Sequence, residues 1–319
     1  MWQQVSQPRE IRVKLSAKYF DPETLAKIQP LSLRSKYLLE GYIAGLHRSP
    51  QRGQSIEFAE HREYSPGDDV RQIDWKVFAR TDKYYLKQYE DETNLIVIFV
   101  VDTSESMTFR SAKSPLSKLE YAQLIALSLA YLVLEQHDAV SLVTYSSKID
   151  RWLDPSNQAQ RWQDMVSTLE TAPVGGTTDT GHVLGDLAGR LSRRCLVIVL
   201  SDFLDELDQL VLGCRHLRHQ RHDVCLLQVL DQAEQSFPYP SPSKFIGLEG
   251  QGDMIVDPVS IRSDYIVEFE HHQTTLQAFC NQSEIDRQVF VTTNPISVSL
   301  PFFLARRQKA YHQRGRNHA

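Results

Sequence analysis

The sequence predicts an α/β fold built on a doubly wound, mostly parallel sheet, and three observations lead there. Residues 95–101, Leu-Ile-Val-Ile-Phe-Val-Val, form an unbroken apolar, β-branched run that ends in Asp102. A second such run, Leu196-Val197-Ile198-Val199-Leu200, ends in Ser201-Asp202. Continuous apolar strands are those buried on both faces, as in a parallel sheet covered by helices. Between and beyond the two runs, strand and helix patterns alternate over 93–230 with short connections, which is the grammar of such a sheet.

Taken in order, Asp21-Pro22 is a good helix start, with a capping carboxylate and proline in the first turn. Pro30 should end that helix, and a second is expected over 33–42. Residues 55–64 alternate like a strand, Ser65-Pro66-Gly67-Asp68-Asp69 is a turn, and Val70, Ile73, Val77 and Phe78 suit a short helix. A strand resumes over 84–89. After the 95–101 strand come a helix over 118–136, a strand over 140–145 and a short extended piece at Trp152-Leu153. Helices over 159–170 and 180–191 precede the 196–200 strand, and a helix over 207–218 and a strand over 224–230 follow it. Prolines at 238, 240 and 242 then break the pattern. The glycines at 250 and 252 suggest a β-hairpin inserted within about 231–263, between 244–248 and 254–256. A helix including 275–280, a last strand over 288–292 and a terminal helix over 299–307 complete the sheet. The expected organisation is an accessory module over 1–93, the α/β domain over 94–312 and a polar tail over 313–319.

The chain has 319 residues, 41% of them hydrophobic and 24% charged, ordinary values for a soluble globular protein with ample core. A net charge of −5 argues against a nucleic-acid partner. Met1-Trp2-Gln3-Gln4-Val5 lacks the basic start and apolar core of a secretory signal, and no apolar run approaches the ~20 residues a membrane helix needs. Cys195, Cys214, Cys225 and Cys280 show no Cys-x-x-Cys pairing and read as buried free thiols, so a cytoplasmic location is expected.

The chemistry is concentrated after the strands. Asp102, Ser104 and Ser106 supply a carboxylate and two hydroxyls at alternating positions, where open α/β sheets place their ligands. Hard oxygen donors without nitrogen or sulfur suit Mg²⁺, or alternatively Mn²⁺ or Ca²⁺. Gly175-Gly176-Thr177-Thr178 brings a hydroxyl onto a glycine-loosened loop, with Thr177 and Thr178 as rivals for the inward position, and Asp202 adds a second carboxylate. Together, Asp-x-Ser-x-Ser, Thr after Gly-Gly, and Ser-Asp after a strand resemble the metal-ion-dependent adhesion site of von Willebrand factor A domains. The resemblance implies that Ser104, Ser106 and Thr177 coordinate a cation, with Asp102 and Asp202 acting directly or through water.

A second resemblance covers more of the chain, from 45 to about 307. Gly53-x-Ser55-Ile56-Glu57-Phe58, Arg62-x-Tyr64-x-Pro66-Gly67-Asp68-Asp69, Arg71-Gln72-Ile73-Asp74-Trp75 and Ala79-Arg80-Thr81 resemble the bacterial family labelled domain of unknown function fifty-eight. That likeness implies a von Willebrand factor A-like core joined to an N-terminal module. It also implies pairing with a MoxR-type AAA+ ATPase, in systems that mature or assemble other proteins.

Other charged groups are better explained without chemistry. Asp68, Asp69, Arg71, Asp74, Arg80, Asp82 and Lys83 surround Trp75 with mixed signs, as expected where a module packs on a sheet. His216, His219 and His222 are spaced for a helix face, but Arg215, Arg218 and Arg221 would repel zinc there. No nucleophile elbow, phosphate loop or dinucleotide fingerprint is present. The reading is a non-enzymatic interaction module that takes a partner carboxylate through a divalent cation. The alternatives are a metal-dependent phosphohydrolase using Asp102 and a scaffold with a vestigial metal site.

Overall fold

The computed structural model describes residues 56–63, 77–78, 84–91, 95–241, 243–246 and 252–316. These fall in two compact units that divide between Asn94 and Leu95. In the first, β1 (Ile56–Glu63) and β2 (Tyr85–Asp91) form an antiparallel pair, with a bulge between Phe58 and Glu60. The two N-terminal helices, Trp75, Arg71, Arg80 and the side chain of Phe58 lie outside the described residues.

The second unit is the α/β domain. Its elements are β3 (Ile96–Asp102), α1 (Lys118–Glu135), β4 (Ala139–Tyr145), β5 (Ile149–Ser156), α2 (Gln160–Thr171) and α3 (Thr180–Arg190). After these come β6 (Leu196–Ser201), α4 (Leu207–His219), β7 (Asp223–Leu230) and the short α5 (Gln232–Ser236). The hairpin β8 (Ser243–Ile246) and β9 (Asp253–Val256) leads into α6 (Pro258–Gln282), β10 (Asp286–Val291) and α7 (Ile296–Arg316). Six strands form one sheet in the order β10-β7-β6-β3-β4-β5, and only β5 runs antiparallel to its neighbour. This is the predicted doubly wound, mostly parallel α/β class, with the two sequence-legible strands β3 and β6 side by side at its centre.

Strand pleating sends alternate residues to opposite faces. Ile98, Val100, Val197, Val199, Val224 and Leu226 share one core cluster with α3, α4 and α6. The other face is covered by α1, which packs against β3, β4, β6 and β7 and is itself touched by α2 and α7. That enclosure explains why α1 is apolar nearly all round rather than amphipathic. It starts at a capping box: Ser117 Oγ accepts from Glu120 N at 3.1 Å while Glu120 Oε2 accepts from Ser117 N at 2.9 Å.

Some elements extend beyond expectation. β5 runs from Ile149 to Ser156 as a half-exposed edge strand rather than a short extended piece. α6 begins at Pro258, capped by Asp257, so the hairpin insertion ends before 258 and not near 263. α7 continues to Arg316, which puts Arg306-Arg307 on a helix instead of at its end, with Arg307 paired to Asp286. All four cysteines are buried and unpaired.

Candidate functional site

The parallel strands β3, β6 and β7 each lead into a carboxylate at the same edge of the sheet: Asp102, Asp202 and Asp231. Val101 is level with Leu200 in the β3–β6 register, which sets Asp102 beside Ser201. Ser201 Oγ donates to Asp102 Oδ2 at 2.7 Å, and the backbone N–H of Ser104 donates to Oδ1 at 2.9 Å. Asp102 is wholly buried. Burial pushes its pKa up to about 7, helped by the charge of Asp202 and opposed by the Ser104 and Ser201 hydrogen bonds.

The chain turns sharply after Asp102, and Ser104 Oγ comes to 3.1 Å from Ser106 Oγ. Backbone hydrogen bonds dock the glycine loop here, Gly175 N to Thr103 O at 3.0 Å and Glu105 N to Gly176 O at 3.1 Å. Both glycines have φ in the left-handed half of the map, +127° and +81°, which explains the Gly-Gly pair. The loop carries the two threonines to the site. Thr178 is half-buried and lines a cleft, whereas Thr177 is exposed and is not among the residues that line it.

The cleft has a volume of 830 Å³ and opens along this edge, with Ser106, Thr178 and Asp202 in its lining. Asp179, Asp205, Glu206 and Glu234 also line it, against one cation, Lys118, and Phe237, Tyr239, Phe245 and Tyr265 contribute an aromatic wall. Asp202 is 2% exposed; its Oδ1 accepts from Leu204 N at 3.3 Å and its Oδ2 lies 2.7 Å from Lys118 Nζ. The same ammonium lies 2.5 Å from Glu234 Oε1. Burial alone would lower the Lys118 pKa, but the charges of Asp202 and Glu234 outweigh it and raise the value. Asp205 accepts from Thr180 N at 3.0 Å through one oxygen, and burial raises its pKa.

Among the described residues, no three His, Cys, Asp or Glu side chains gather as a metal cluster, so a divalent ion here would depend on the hydroxyls. Octahedral Mg²⁺ with bonds of about 2.1 Å holds neighbouring ligands about 3 Å apart, and the Ser104–Ser106 separation of 3.1 Å fits that edge. Each carboxylate oxygen of Asp102 and Asp202 already accepts from a protein donor. The set therefore fits a hard cation held directly by hydroxyls and through water by the carboxylates. Away from this edge, His222 Nδ1 accepts from Cys195 N at 3.3 Å, and burial lowers its pKa, as befits a satisfied core histidine.

Residues 60–275 match the family described as Protein of unknown function DUF58, which covers more than half of the chain. The chain belongs to this family. Uncharacterized protein Rv1480 of Mycobacterium tuberculosis (strain ATCC 25618 / H37Rv) is 29% identical over 223 residues, 68% of this chain and 68% of its own. Uncharacterized protein Mb1516 of Mycobacterium bovis gives the same figures. Among solved structures, the chain is similar to the conserved hypothetical protein BatB from Bacteroides thetaiotaomicron, with TM-score 0.45 and 14% identity over 69% of this chain and 99% of that one. The vWF domain of the type V pili tip protein Mfa5 from Porphyromonas gingivalis matches with TM-score 0.28 and 20% identity, over 34% of this chain and 37% of that one.

Sequence reasoning missed four charged groups of this DUF58 site: Lys118, Asp205, Asp231 and Glu234. Two had a visible signal. Asp231 follows a strand as Asp202 does, and with Glu234 three residues later it forms the capping box of α5. Lys118 had none, because a lysine in a first helical turn normally faces water.

Proposed function

We propose that this DUF58 chain is a non-enzymatic protein–protein interaction module that takes a partner carboxylate through a divalent cation, and that it works in the cytoplasm with a MoxR-type AAA+ ATPase or its client. The observation that carries this reading is the pair of hydroxyls, Ser104 Oγ and Ser106 Oγ, 3.1 Å apart beside a cleft rich in carboxylates. Ser104, Ser106 and one of Thr177 or Thr178 would hold Mg²⁺, with Asp102 and Asp202 behind them. Such an ion supplies residual positive charge to an incoming Asp or Glu. Without it, the same cleft presents five carboxylates against one ammonium and repels an acidic group.

The burial of Asp102 supports the non-enzymatic reading over an aspartyl-phosphate mechanism. Both its oxygens already accept hydrogen bonds from the protein, which opposes their use as a nucleophile. The test is calorimetry of the full chain with the MoxR-type ATPase of the same organism, in Mg²⁺ and in EDTA, for wild type and Ser104→Ala. Either loss of metal or Ser104→Ala should weaken binding at least about tenfold, equivalent to ~1.4 kcal/mol. Equal affinity in EDTA, or turnover of a phosphate ester by the purified chain, overturns the reading.

A further inference from the structure

We propose that the cleft at this sheet edge is a docking groove for a partner segment that carries an arginine beside an apolar residue. The inference goes beyond the metal-bridged reading and stands without a metal, because it rests on the aromatic wall and the carboxylates alone.

The wall is assembled from separate elements. Phe237 ends α5, Tyr239 follows it in the loop, Phe245 lies on β8 and Tyr265 on α6. The Phe237 ring stacks on Phe245 with 5.5 Å between centres and lies 4.5 Å from Tyr265. Tyr239 meets Phe237 and Phe245 edge-on, at 5.1 Å each. The backbone behind the rings is fixed as well. Arg262 donates to Phe237 O at 3.0 Å and to Tyr239 O at 2.9 Å, and Tyr265 Oη donates to Glu234 O at 2.8 Å. Tyr239, Phe245 and Tyr265 are only half-buried and line the cleft. A wall already in place has little ordering left to lose on binding.

Charge decides the occupant. Five carboxylates line the cleft against one ammonium, and Lys118 is spent on Asp202 and Glu234. Among the described residues, no lysine or arginine lies within ion-pair distance of Asp179, Asp205 or Glu206. Asp205 accepts from Thr180 N through one oxygen, while its Oδ1 is buried without a hydrogen-bond partner. A buried acceptor left open costs free energy that an incoming donor recovers. Aromatic faces and unpaired carboxylates both attract a cation. Arginine suits them better than lysine, since its planar guanidinium stacks on a ring and forks onto a carboxylate.

The rim decides what carries the arginine. Met254 and Leu204 line the same cleft while 62% and 40% exposed. A small free cation would leave both in water, whereas an apolar neighbour of the arginine covers them. The cleft volume of 830 Å³ has room for both side chains.

The test uses the full-length chain in EDTA at low ionic strength, with the blocked tripeptide acetyl-Leu-Arg-Leu-amide as probe and calorimetry as readout. This peptide should bind at least about tenfold more tightly than acetyl-Leu-Gln-Leu-amide, with the lysine peptide between them. Tyr239→Leu and Asp205→Asn should each weaken it at least about fivefold. Glu206 is exposed, so Glu206→Gln leaves the fold intact, and it should weaken the peptide about threefold. Added salt should weaken the arginine peptide and spare the glutamine one. No binding of the arginine peptide, binding equal to that of the glutamine peptide, or indifference to both Tyr239→Leu and Glu206→Gln overturns the inference. Acetyl-arginine-amide binding as tightly as the tripeptide also overturns it, because the site is then a pocket for small cations. A peptide that binds only with Mg²⁺ overturns this inference and leaves the metal-bridged reading standing. Arginine-selective binding in EDTA supports it, whatever becomes of the metal.

Discussion

Ser201 Oγ donates to Asp102 Oδ2 across 2.7 Å, tying together the ends of the two central strands of the sheet. The same oxygen of Ser201 accepts from Phe203 N at 3.1 Å, so one hydroxyl holds the buried carboxylate and the turn that follows Asp202. That turn is tight: Phe203 is a bulky, fully buried residue with φ at +49°. Left-handed backbone at such a residue persists only where its surroundings hold it.

The Asp102 carboxyl makes stability depend on pH in the metal-free protein. Its folded-state pKa is raised to about 7, by burial first and then by Asp202, while Tyr145 also faces it and Lys118 neutralises Asp202 from the other side. A carboxyl with a raised folded pKa holds its proton more tightly folded than unfolded. Its contribution is fully present below the unfolded value of about 3.9 and is lost as pH rises toward the folded value. In EDTA, the unfolding free energy read from denaturant titrations should therefore fall between about pH 4 and pH 7, by an amount on the order of a few kcal/mol. Asp102→Asn should flatten most of that decline. The raised values of Asp205 and Glu234 act in the same direction, while the lowered values of His222, His272 and Asp231 act against it, so the slope left in Asp102→Asn is the balance of these. A pH dependence that Asp102→Asn leaves unchanged would contradict the assignment.

Helix α3 is pressed onto α4 through two glycines, and one methyl group should be enough to separate them. A Cβ on Gly181 would lie 2.3 Å from the backbone C and O of Gln209, and one on Gly213 would lie 2.5 Å from Gly181 O. Backbone on both sides leaves no flexible side chain to yield. Gly181→Ala should cost about 3 kcal/mol or more. Gly185→Ala, in the same helix, meets only His216 Nδ1 at an ordinary 3.7 Å. It should stabilise the chain by roughly 0.5–1 kcal/mol through reduced backbone entropy. Urea denaturation of the two variants checks the pair, and equal effects would refute the close approach.

Sequence legibility followed burial. β3, β6 and β7 were readable because strands covered on both faces carry continuous apolar runs, and the sheet edge where the carboxylates gather follows from their being parallel. β5 was reduced to Trp152-Leu153 because an edge strand, Ile-Asp-Arg-Trp-Leu-Asp-Pro-Ser, keeps only part of its surface from water and pairs with irregular register. The first half of α6 hid for a related reason: Val259 and Val267 are exposed, and no apolar stripe marks its inward face. Its Asp257-Pro258 start is the same signal that was read at Asp21-Pro22. In the site, the hydroxyls and carboxylates that follow strands were legible by position. The choice between Thr177 and Thr178 was not, since it depends on how the Gly175–Gly176 backbone docks. Lys118 was invisible, because its inward direction is set by Asp202 and Glu234, which lie 84 and 116 residues away.

The three serines of this edge should separate cleanly into one that serves the fold and two that serve binding. Ser201→Ala removes the donor to Asp102 Oδ2 and the acceptor for Phe203 N, all within a buried setting. Leaving buried polar groups unsatisfied costs about 1–3 kcal/mol each, so this variant should lose roughly 2–4 kcal/mol. Removal of a hydrogen bond to the charged form should also push the Asp102 pKa higher, moving the pH-dependent decline to higher pH. Ser104 and Ser106 differ because their hydroxyls face each other at 3.1 Å, with Ser104 also hydrogen-bonding the Asp102 carboxyl two residues before it. Ser106→Ala should cost no more than about 1 kcal/mol, and the buried Ser104→Ala about 1–2 kcal/mol. Their effect should show instead as loss of Mn²⁺ uptake, which Ser201→Ala, at temperatures where it stays folded, should retain in large part. Denaturation curves and calorimetry on the three variants provide both readouts. If Ser104→Ala destabilises the chain as much as Ser201→Ala and leaves Mn²⁺ uptake untouched, the paired hydroxyls belong to the scaffold and the cation is held elsewhere.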